Sequence, residues 1–217
     1  MGFTVIDAPQ RSEAWIQARL GRLTASRAAD MLASIKSGEA AARRNLRVQL
    51  VLERITGRSM ESGYQSQAML NGIAREADAL RRYEAVTGRL VRRTGFLSHD
   101  SLMAGASLDG HLGDFAVVVE TKSPEAATHL EYLKTGQVPS AYQKQILHQL
   151  WITGATSADF LSFHPDFPER LQLLLVAVPR DEQAIAAYDK AARAFLSEVD
   201  TEHQALLTMA NGLAVAV

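Results

Sequence analysis

The sequence predicts an α/β fold in which β-strands are flanked by helices, with a helical amino-terminal part. Three observations predict it. Much of the first ninety residues carries apolar residues at helical spacing, short runs rich in β-branched residues follow between Gly and Asp turns, and helical spacing returns toward the carboxyl terminus. Helices that enclose strands in this way share one buried core with the sheet.

Caps and helix breakers define the amino-terminal elements. Ser12 predicts the start of a first helix, and Thr24 or Ser26 predicts the cap of a second. Gly57 and Gly88 are placed to end two longer helices. The predicted helices cover residues 12–20, 24–34, 40–56 and 67–87.

The strands are predicted from short apolar runs bounded by turn residues. Residues 92–98, 102–106 and 115–122 are expected to form an antiparallel meander. A helix over 141–153, strands over 158–164 and 171–178, and a long helix over 181–211 complete the fold. No repeat, low-complexity segment or linker divides the chain, so we expect residues 1–217 to be a single domain.

Composition limits the class of protein. The 217 residues, of which 47% are hydrophobic and 22% charged, suffice for one domain with a sizeable core. No apolar run approaches the roughly 20 residues of a membrane span, and the amino terminus lacks the pattern of a secretory signal. We therefore expect a cytoplasmic protein without a membrane partner. The sequence has no Cys and its His residues lack metal-ligand spacing, which disfavours zinc sites.

The net charge of −1 provides no overall attraction for a nucleic acid. Arginines nevertheless cluster within residues 19–27, 43–47 and 81–93, whereas acidic residues gather toward the carboxyl terminus. These clusters predict either one basic face or ordinary solvated helix surfaces. The segment from Lys36 to Arg47 is a possible site for holding a duplex on this basis.

The most informative motif joins Asp109 to Glu120 and Lys122. The predicted strand over 115–122 points Glu120 and Lys122 to the same face at its end, and Asp109 reaches them from the preceding turn. Carboxylate oxygens suit a hard cation such as Mg²⁺, and a nearby lysine can orient or deprotonate a water for attack on a phosphodiester. The alternative is a salt bridge at a strand end beside an ordinary Asp-Gly turn.

Glu76 adds a further carboxylate, because it interrupts an apolar stripe at helical spacing. The apolar members of that stripe are Met69, Ile73, Leu80 and Tyr83. A buried carboxylate needs a partner, which is either an arginine or lysine in an ion pair, for instance Arg81 or Lys122, or a metal ion. Together with Asp109 and Glu120 it makes three inward acids, which repel one another unless a divalent cation neutralises them.

A second polar site is predicted around the start of the second helix. Arg19, Thr24 and Ser26 surround this point, where free backbone amides favour an anion such as a phosphate. The alternative is plain helix capping with a solvated Arg19.

The helix over 141–153 carries a polar face formed by Tyr142, Gln145 and Gln149. Amide side chains on such a face can contact DNA or support metal ligands. The alternative is that they are merely exposed to solvent.

Taken in order, these motifs resemble the phage λ exonuclease family of viral-type alkaline exonucleases. The motifs are Trp15-x-x-x-Arg19, Thr24-Ala-Ser26, Gly72-x-x-x-Glu76-x-x-Ala79, Ser107-x-Asp109-Gly110, Glu120-x-Lys122 and Tyr142-x-x-Gln145. The resemblance spans roughly Trp15 to Pro165, with Leu108 where the family usually has proline. It implies the restriction-endonuclease-like core of the PD-(D/E)xK superfamily, a mixed sheet flanked by helices.

The resemblance also implies the roles of individual residues. The implied metal ligands are Glu76, Asp109, Glu120 and the carbonyl of Thr121, and the implied catalytic residues are Lys122, Glu120, Asp109 and Gln145. The implied pocket for a 5′ phosphate consists of Arg19, Thr24 and Ser26. The expected cofactor is Mg²⁺, with Mn²⁺ as a substitute and two ions as the expected number.

The activity implied by the resemblance is that of a single nuclease domain, which degrades one strand of linear double-stranded DNA from a 5′-phosphorylated end. The products are mononucleotides and a 3′ overhang for homologous recombination by strand annealing. A ring-shaped homotrimer, a single-strand annealing protein as partner, and a phage or prophage origin in a bacterial host are also implied. The alternatives are an endonuclease or nickase of the same superfamily, and a non-catalytic DNA-binding module.

Overall fold

The structure is a computed structural model that describes residues 2–60 and 67–214. The amino-terminal part is mainly helical, as predicted, and it also contains two short strands that were not predicted. The elements of this part are β1 (Phe3–Ile6), α1 (Glu13–Arg19), β2 (Leu23–Thr24), a 3-10 turn (Ala25–Arg27), α2 (Ala28–Met31), α3 (Ala41–Thr56) and α4 (Gln67–Thr87).

Two of the predicted helix boundaries have the expected physical cause, and one does not. The Ser12 hydroxyl accepts a hydrogen bond from the backbone N–H of Trp15 at 3.2 Å and so caps α1. Gly57 ends α3 in the left-handed conformation, with a φ of 63°. Thr24 and Ser26 cap no helix, because the chain passes through β2 and the 3-10 turn before α2 begins.

The strands of the described residues form two four-stranded sheets. The first two strands of the predicted meander pair antiparallel as expected, but the third belongs to the other sheet, so the meander is wrong at that step. The first sheet has the order β1-β3-β4-β2, with β3 at Phe96–His99 and β4 at Ala104–Ser107. The second has the order β5-β6-β7-β8, formed by Gly110–Leu112, Val117–Lys122, Ser157–Phe163 and Leu173–Pro179. The chain passes from the first sheet to the second at Leu108 and Asp109, between β4 and β5.

The parallel pairing of β6 with β7 requires a crossover, and two helices provide it. The helix α6 (Ser140–Thr153) was predicted, whereas the shorter α5 (Ala126–Thr135) was not. The last helix, α7, extends over Glu182–Ala214. In the described parts of the chain, no helix combines the length and apolar content that a membrane span needs.

Different helices cover the two faces of the second sheet. Val118 lies in the core that β6 and β7 share with α6 and α7, whereas Val119 packs with Tyr83 of α4. Neighbouring residues of a strand point to opposite faces. Glu120 therefore faces α6, as Val118 does, while α4, which carries Glu76, covers the other face.

Candidate active site

The carboxyl end of β6 carries a buried ion pair. Glu120 is 1% exposed, and the Nζ of Lys122 donates a hydrogen bond to its Oε1. The two side chains share a face because they are two residues apart in a strand. The Lys122 ammonium also lies 5.0 Å from the centre of the Tyr142 ring, where the π face of the ring attracts it.

The helix α6 supplies two further donors to the same carboxylate. The Nε2 of Gln145 donates to Oε1 of Glu120 at 2.6 Å, and the Nε2 of Gln149 donates to Oε2 at 2.5 Å. Gln149 is fully buried, so the alternative that these amides are merely exposed is wrong for this residue. The structure thus brings Gln145 to Glu120 and Lys122, and it adds Gln149, to which the family resemblance assigns no role.

Asp109 lies at the edge of β6, opposite Thr121. Its Oδ2 accepts hydrogen bonds from the backbone N–H of Thr121 at 2.7 Å and from the Thr121 hydroxyl at 3.1 Å. In an extended strand the N–H and C=O of one residue point to the same side. The Thr121 carbonyl, an implied metal ligand, therefore faces the edge at which Asp109 lies.

Glu76 approaches from α4 and is held by an arginine that the sequence did not indicate. Its Oε1 lies 3.0 Å from Nη2 of Arg93, and the two side chains are 16% and 57% exposed, respectively. The alternative of an ion pair with an arginine is therefore confirmed, but Arg81, named as an instance, is not the partner, because it pairs with Asp78 on the surface of α4. The Arg93 contact is open to solvent and can therefore exchange with water or a ligand.

Burial and neighbouring charges shift the pKa values of these groups. Burial raises the pKa of Glu120 to about 7, an effect that Lys122 opposes and Asp109 reinforces. Burial, with Asp109 as the second cause, also raises the pKa of Glu76, and among the charges that oppose this shift are Arg93 and Arg11. For Lys122, burial lowers the pKa but the two nearby carboxylates outweigh it and raise the pKa above its usual value. Lys122 is thus an ammonium at neutral pH.

The three carboxylates do not form a preassembled metal site. Among the described residues, no group of three Asp, Glu or His side chains is close enough together to hold an ion. Glu120 faces α6, Glu76 comes from the α4 side, and Asp109 lies at the strand edge between them. The donor set still fits a hard cation, because all its atoms are oxygens and a cation would offset the burial and repulsion that raise two of the pKa values.

A cavity of about 320 Å³ opens beside Glu76 and Asp109. Its other lining residues are Pro9, Gln10, Arg11, Arg93, Thr94 and Leu108. The Nε2 of Gln10 donates to the carbonyl of Leu108 at 3.0 Å and so ties the turn before α1 to the residue before Asp109. The sequence carried no signal for these contacts, since they depend on how α1 and β4 meet.

A chain of contacts joins the predicted phosphate-binding arginine, Arg19, to β4. The Arg19 guanidinium stacks over the Trp15 ring, 4.1 Å from its centre. The indole N–H of Trp15 donates to Oγ of Ser107 at 2.9 Å, two residues before Asp109. Packing of α1 thereby places Arg19 beside the strand that leads into the carboxylate site.

The two predicted hydroxyls differ in accessibility. Thr24 is 4% exposed, whereas Ser26 is exposed, and their hydroxyl oxygens lie 3.4 Å apart. Thr24 precedes the 3-10 turn and Ser26 lies within it, so the prediction that they surround the start of an α-helix is wrong. A ligand can reach Ser26 more readily than Thr24.

The turn between Arg19 and Thr24 is held by α3. The Gly21 N–H donates to Oε2 of Glu53 at 2.9 Å, and the Gly21 carbonyl accepts from Nε of Arg54 at 2.8 Å. Gly21 has a φ of 64°, and a Cβ there would lie 2.4 Å from Cγ of Arg54. Sequence reasoning missed both α3 residues, although a glutamate at a buried helix position is itself a signal.

The basic segment of α3 is committed to ion pairs. Arg43 pairs with Glu198 at 2.7 Å and with Glu39 at 2.8 Å, while Arg47 pairs with Glu39 at 2.8 Å and with Glu202. These arginines join α3 to α7. The suggestion that they hold a duplex is therefore not favoured.

Comparison with known proteins gives a family and close structural neighbours. The family described as YqaJ-like viral recombinase domain matches residues 14–156, which include every predicted site residue. The crystal structure of an alkaline exonuclease (LHK-Exo) from Laribacter hongkongensis is 35% identical, covers 93% of this chain and 100% of its own, and has a TM-score of 0.83. The crystal structure of LHK-Exo in complex with dAMP has the same identity and coverage and a TM-score of 0.84.

A more distant structure supports the fold alone. It is a phage related exonuclease from Haemophilus somnus 129PT, with 14% identity, a TM-score of 0.66, and coverage of 87% of this chain and 96% of its own. No curated protein matches the sequence significantly. The predicted fold class, a mixed α/β core flanked by helices, is confirmed by the LHK-Exo match.

Proposed function

The chain belongs to the family of YqaJ-like viral recombinase domains, and on that premise we propose that it degrades one strand of linear double-stranded DNA in the 5′-to-3′ direction. The family and the alkaline exonuclease neighbours establish the coarser statement, that the chain is a nuclease. The proposed reaction begins at a 5′-phosphorylated end, uses Mg²⁺ and releases mononucleotides. It leaves a 3′ overhang for recombination by strand annealing.

The observation that carries the proposal is the set of contacts around Glu120. Lys122, Gln145 and Gln149 all donate to this one buried carboxylate, and Asp109 lies beside it at the strand edge. A buried charge that only completed the fold would be costly compared with an apolar side chain. A carboxylate held by several fixed donors is what a preorganised hydrolytic site requires.

The residues that would hold Mg²⁺ are Asp109, Glu120 and Glu76, together with the Thr121 carbonyl. When bound, a divalent cation makes water a better nucleophile and offsets charge that develops on the phosphate. The α6 glutamines fix the direction of both Glu120 oxygens. They act as supports for a ligand, a role whose loss commonly weakens metal affinity or activity about 10- to 100-fold.

Lys122 acts as a hydrogen-bond donor in this proposal. Its raised pKa keeps the proton on Nζ, so of the two predicted roles, orienting a water or deprotonating it, the structure favours the first. The ammonium can turn from Glu120 toward a phosphate oxygen or the attacking water. Tyr142 limits that movement by lying under the ammonium.

The polarity of digestion is assigned to Arg19, Ser26 and Thr24 as the site for the terminal 5′ phosphate. The stacking of Arg19 on Trp15 and the exposure of Ser26 support this assignment. A guanidinium that is held flat by stacking is suited to bidentate contact with phosphate oxygens. Thr24 would contribute through the hydroxyl of Ser26, which it approaches.

The structural neighbour supports the proposed product class. LHK-Exo has been crystallised in complex with dAMP, which is a deoxynucleoside monophosphate. We extend to this chain the same kind of product, a mononucleotide.

Two Mg²⁺ ions, a ring-shaped homotrimer, a single-strand annealing partner and the cytoplasm of a bacterial host complete the proposal. They rest on the family resemblance. Light scattering on the purified protein tests the trimer directly, because a trimer has three times the mass of the 23.7 kDa chain.

The decisive experiment is digestion of a linear duplex labelled at either end, with a 5′ phosphate or a 5′ hydroxyl. Reactions contain Mg²⁺, Mn²⁺ or a chelator, and Lys122→Ala protein purified in parallel controls for contaminating nucleases. We expect mononucleotides from the phosphorylated 5′ end with either metal and none with the chelator. Internal fragments would identify an endonuclease or nickase, and an uncut but bound duplex would identify a non-catalytic DNA-binding module.

A further inference from the structure

Arg11 occupies a backbone conformation that its side chain does not favour. Residues 9–12 form a turn in which the Ser12 N–H donates to the Pro9 carbonyl at 3.0 Å, and Arg11, at the third position, has a φ of 71°. That position of a turn with positive φ is normally taken by Gly or Asn. A residue with a long side chain in the left-handed region is strained, and such strain is characteristic of functional positions.

The strained turn places Arg11 at the cavity beside the carboxylates. Arg11 lines this cavity together with Glu76, Asp109 and Arg93. The contact of Gln10 with the Leu108 carbonyl fixes the turn against the segment that carries Asp109. The position of Arg11 is therefore set by the same segment that positions a predicted catalytic carboxylate.

The Arg11 guanidinium is available to a ligand. It is exposed and forms no hydrogen bond or ion pair with the part of the chain that the structure describes. Arg93, on the opposite side of the cavity, is already paired with Glu76. The cavity thus holds a fixed cation, Arg93, that balances a carboxylate, and a second cation whose donors are unused.

We propose that Arg11 binds a phosphate of the DNA backbone at the mouth of the cavity beside Glu76 and Asp109. The inference rests on the proposed function, since it assumes a DNA strand in this site. A guanidinium presents paired donors that match two phosphate oxygens. The strained turn is retained, in this view, because it directs those donors toward the strand.

The test compares Arg11→Gly, Arg11→Ala and Arg11→Lys, with Arg193→Ala as the matched control. Arg193 is an exposed arginine of α7 that pairs with Asp189. Binding of a 5′-phosphorylated duplex is measured by fluorescence anisotropy over a range of salt concentrations. All proteins carry Glu120→Gln so that the duplex is not consumed.

We expect Arg11→Gly and Arg11→Ala to lower the slope of log affinity against log salt by about 0.9, the loss of one phosphate contact. Arg11→Lys and Arg193→Ala should keep the slope. Arg11→Gly should also have a Tm at least as high as that of Arg11→Ala, because glycine accepts the positive φ. An Arg11→Gly protein that binds the duplex more weakly but has an unchanged Tm would show that Arg11 contributes to DNA binding and not to folding.

An unchanged slope in both Arg11→Gly and Arg11→Ala would overturn the inference while leaving the proposed function intact. A lower Tm for Arg11→Gly than for the protein that keeps Arg11 would also overturn it, by showing that the arginine serves the fold. If the wild-type protein does not cut the duplex and the Glu120→Gln protein does not bind it, the proposed function fails first and the inference fails with it.

Discussion

Glu120 and Glu76 are both paired with a cation near Asp109, but their surroundings are opposite in character. Glu120 is 1% exposed and receives hydrogen bonds from Lys122 and two glutamines of α6. Glu76 is 16% exposed and has Arg93 as its partner, which is itself 57% exposed. One carboxylate is enclosed and fully oriented, whereas the other faces a cavity open to solvent.

The contrast teaches which part of the site is built in advance and which part is left to a ligand. Donors around Glu120 are fixed by β6 and α6, so no reorganisation is needed there when charge develops. Around Glu76, the partly exposed Arg93 supplies positive charge that an incoming metal ion can replace. Substitutions in the enclosed half should therefore mainly affect the rate of the chemical step, and substitutions in the open half should mainly affect binding.

The largest effect is expected in the enclosed half. Glu120→Gln and Lys122→Ala should each reduce the initial rate of mononucleotide release at least about a thousandfold, because each removes a group that we propose to act at the reacting phosphate. Duplex binding, followed by anisotropy, should change far less. Arg81→Ala, which disrupts only an exposed pair with Asp78, is the matched control. Normal cleavage by Lys122→Ala would remove Lys122 from the mechanism.

The packing of α6, which carries the glutamines that contact Glu120, can be tested through the pH dependence of stability. His148 is buried, its Nδ1 lies 2.6 Å from the Tyr188 hydroxyl, and its Nε2 lies 3.0 Å from the Gly105 carbonyl. A carbonyl only accepts, so Nε2 carries the proton and the ring is neutral. Burial lowers the pKa of His148 to about 4. The pKa of His in the unfolded chain is about 6.5, so between pH 6.5 and pH 4 the unfolded state binds more protons than the folded state. The free energy of unfolding therefore decreases as the pH is lowered through this range.

We therefore expect wild type to lose about 3 kcal/mol relative to His148→Gln as the pH falls from 6.5 to 4. Glutamine can keep one donor and one acceptor without titrating. Glu120 has a raised pKa and therefore stabilises the folded state as the pH falls. This contribution is the same in both proteins, so it cancels in the difference between their free energies of unfolding. Urea unfolding at several pH values measures this difference. If the free energies of unfolding of the two proteins changed in parallel with pH, the lowered pKa of His148 would be contradicted.

Among the proposed DNA-binding residues, Arg19→Ala should mainly erase the preference for a phosphorylated over a hydroxyl 5′ end. A charged hydrogen bond of this kind is worth about 2 kcal/mol, so the preference should fall roughly thirtyfold. Arg19→Lys keeps the charge but loses the paired geometry and should fall between. Competition between the two duplex ends measures the ratio, and an unchanged ratio in Arg19→Ala would place the end-binding site elsewhere.

The smallest effect is expected for Arg43→Ala. Its partly exposed pair with Glu198 should contribute about 1 kcal/mol or less to the free energy of unfolding. Because that arginine is committed to α7, the salt dependence of DNA binding should not change. A smaller salt slope would restore the segment around Arg43 to the DNA-binding surface.

The sequence predicted most where local chemistry decides. Caps and glycines located α1 and α3, and the two-residue period of a strand placed Glu120 and Lys122 on one face. The family resemblance is confirmed by the match over residues 14–156 and by LHK-Exo. The catalytic, metal and phosphate roles of individual residues stay predictions.

What the sequence could not predict depends on contacts between distant segments. β1 exists because Phe3 pairs with His99 in β3, and the two sheets separate at Leu108 for reasons of packing. Arg43 finds Glu198 across 155 residues of chain. Neither hydrophobic period nor spacing encodes such partners, which is also why Arg93 was not foreseen beside Glu76.

The hold of α3 on Gly21 has a consequence for the length of the chain between Arg19 and Thr24. Both polar groups of the Gly21 peptide are occupied, by Glu53 and Arg54, and a side chain at this position would collide with Arg54. A residue inserted or deleted here would have to break at least one of these bonds. Contacts with α3 thus fix the number of residues between the Arg19 guanidinium and the hydroxyls of Thr24 and Ser26. To redesign this loop for a bulkier 5′ end, α3 would have to be changed first.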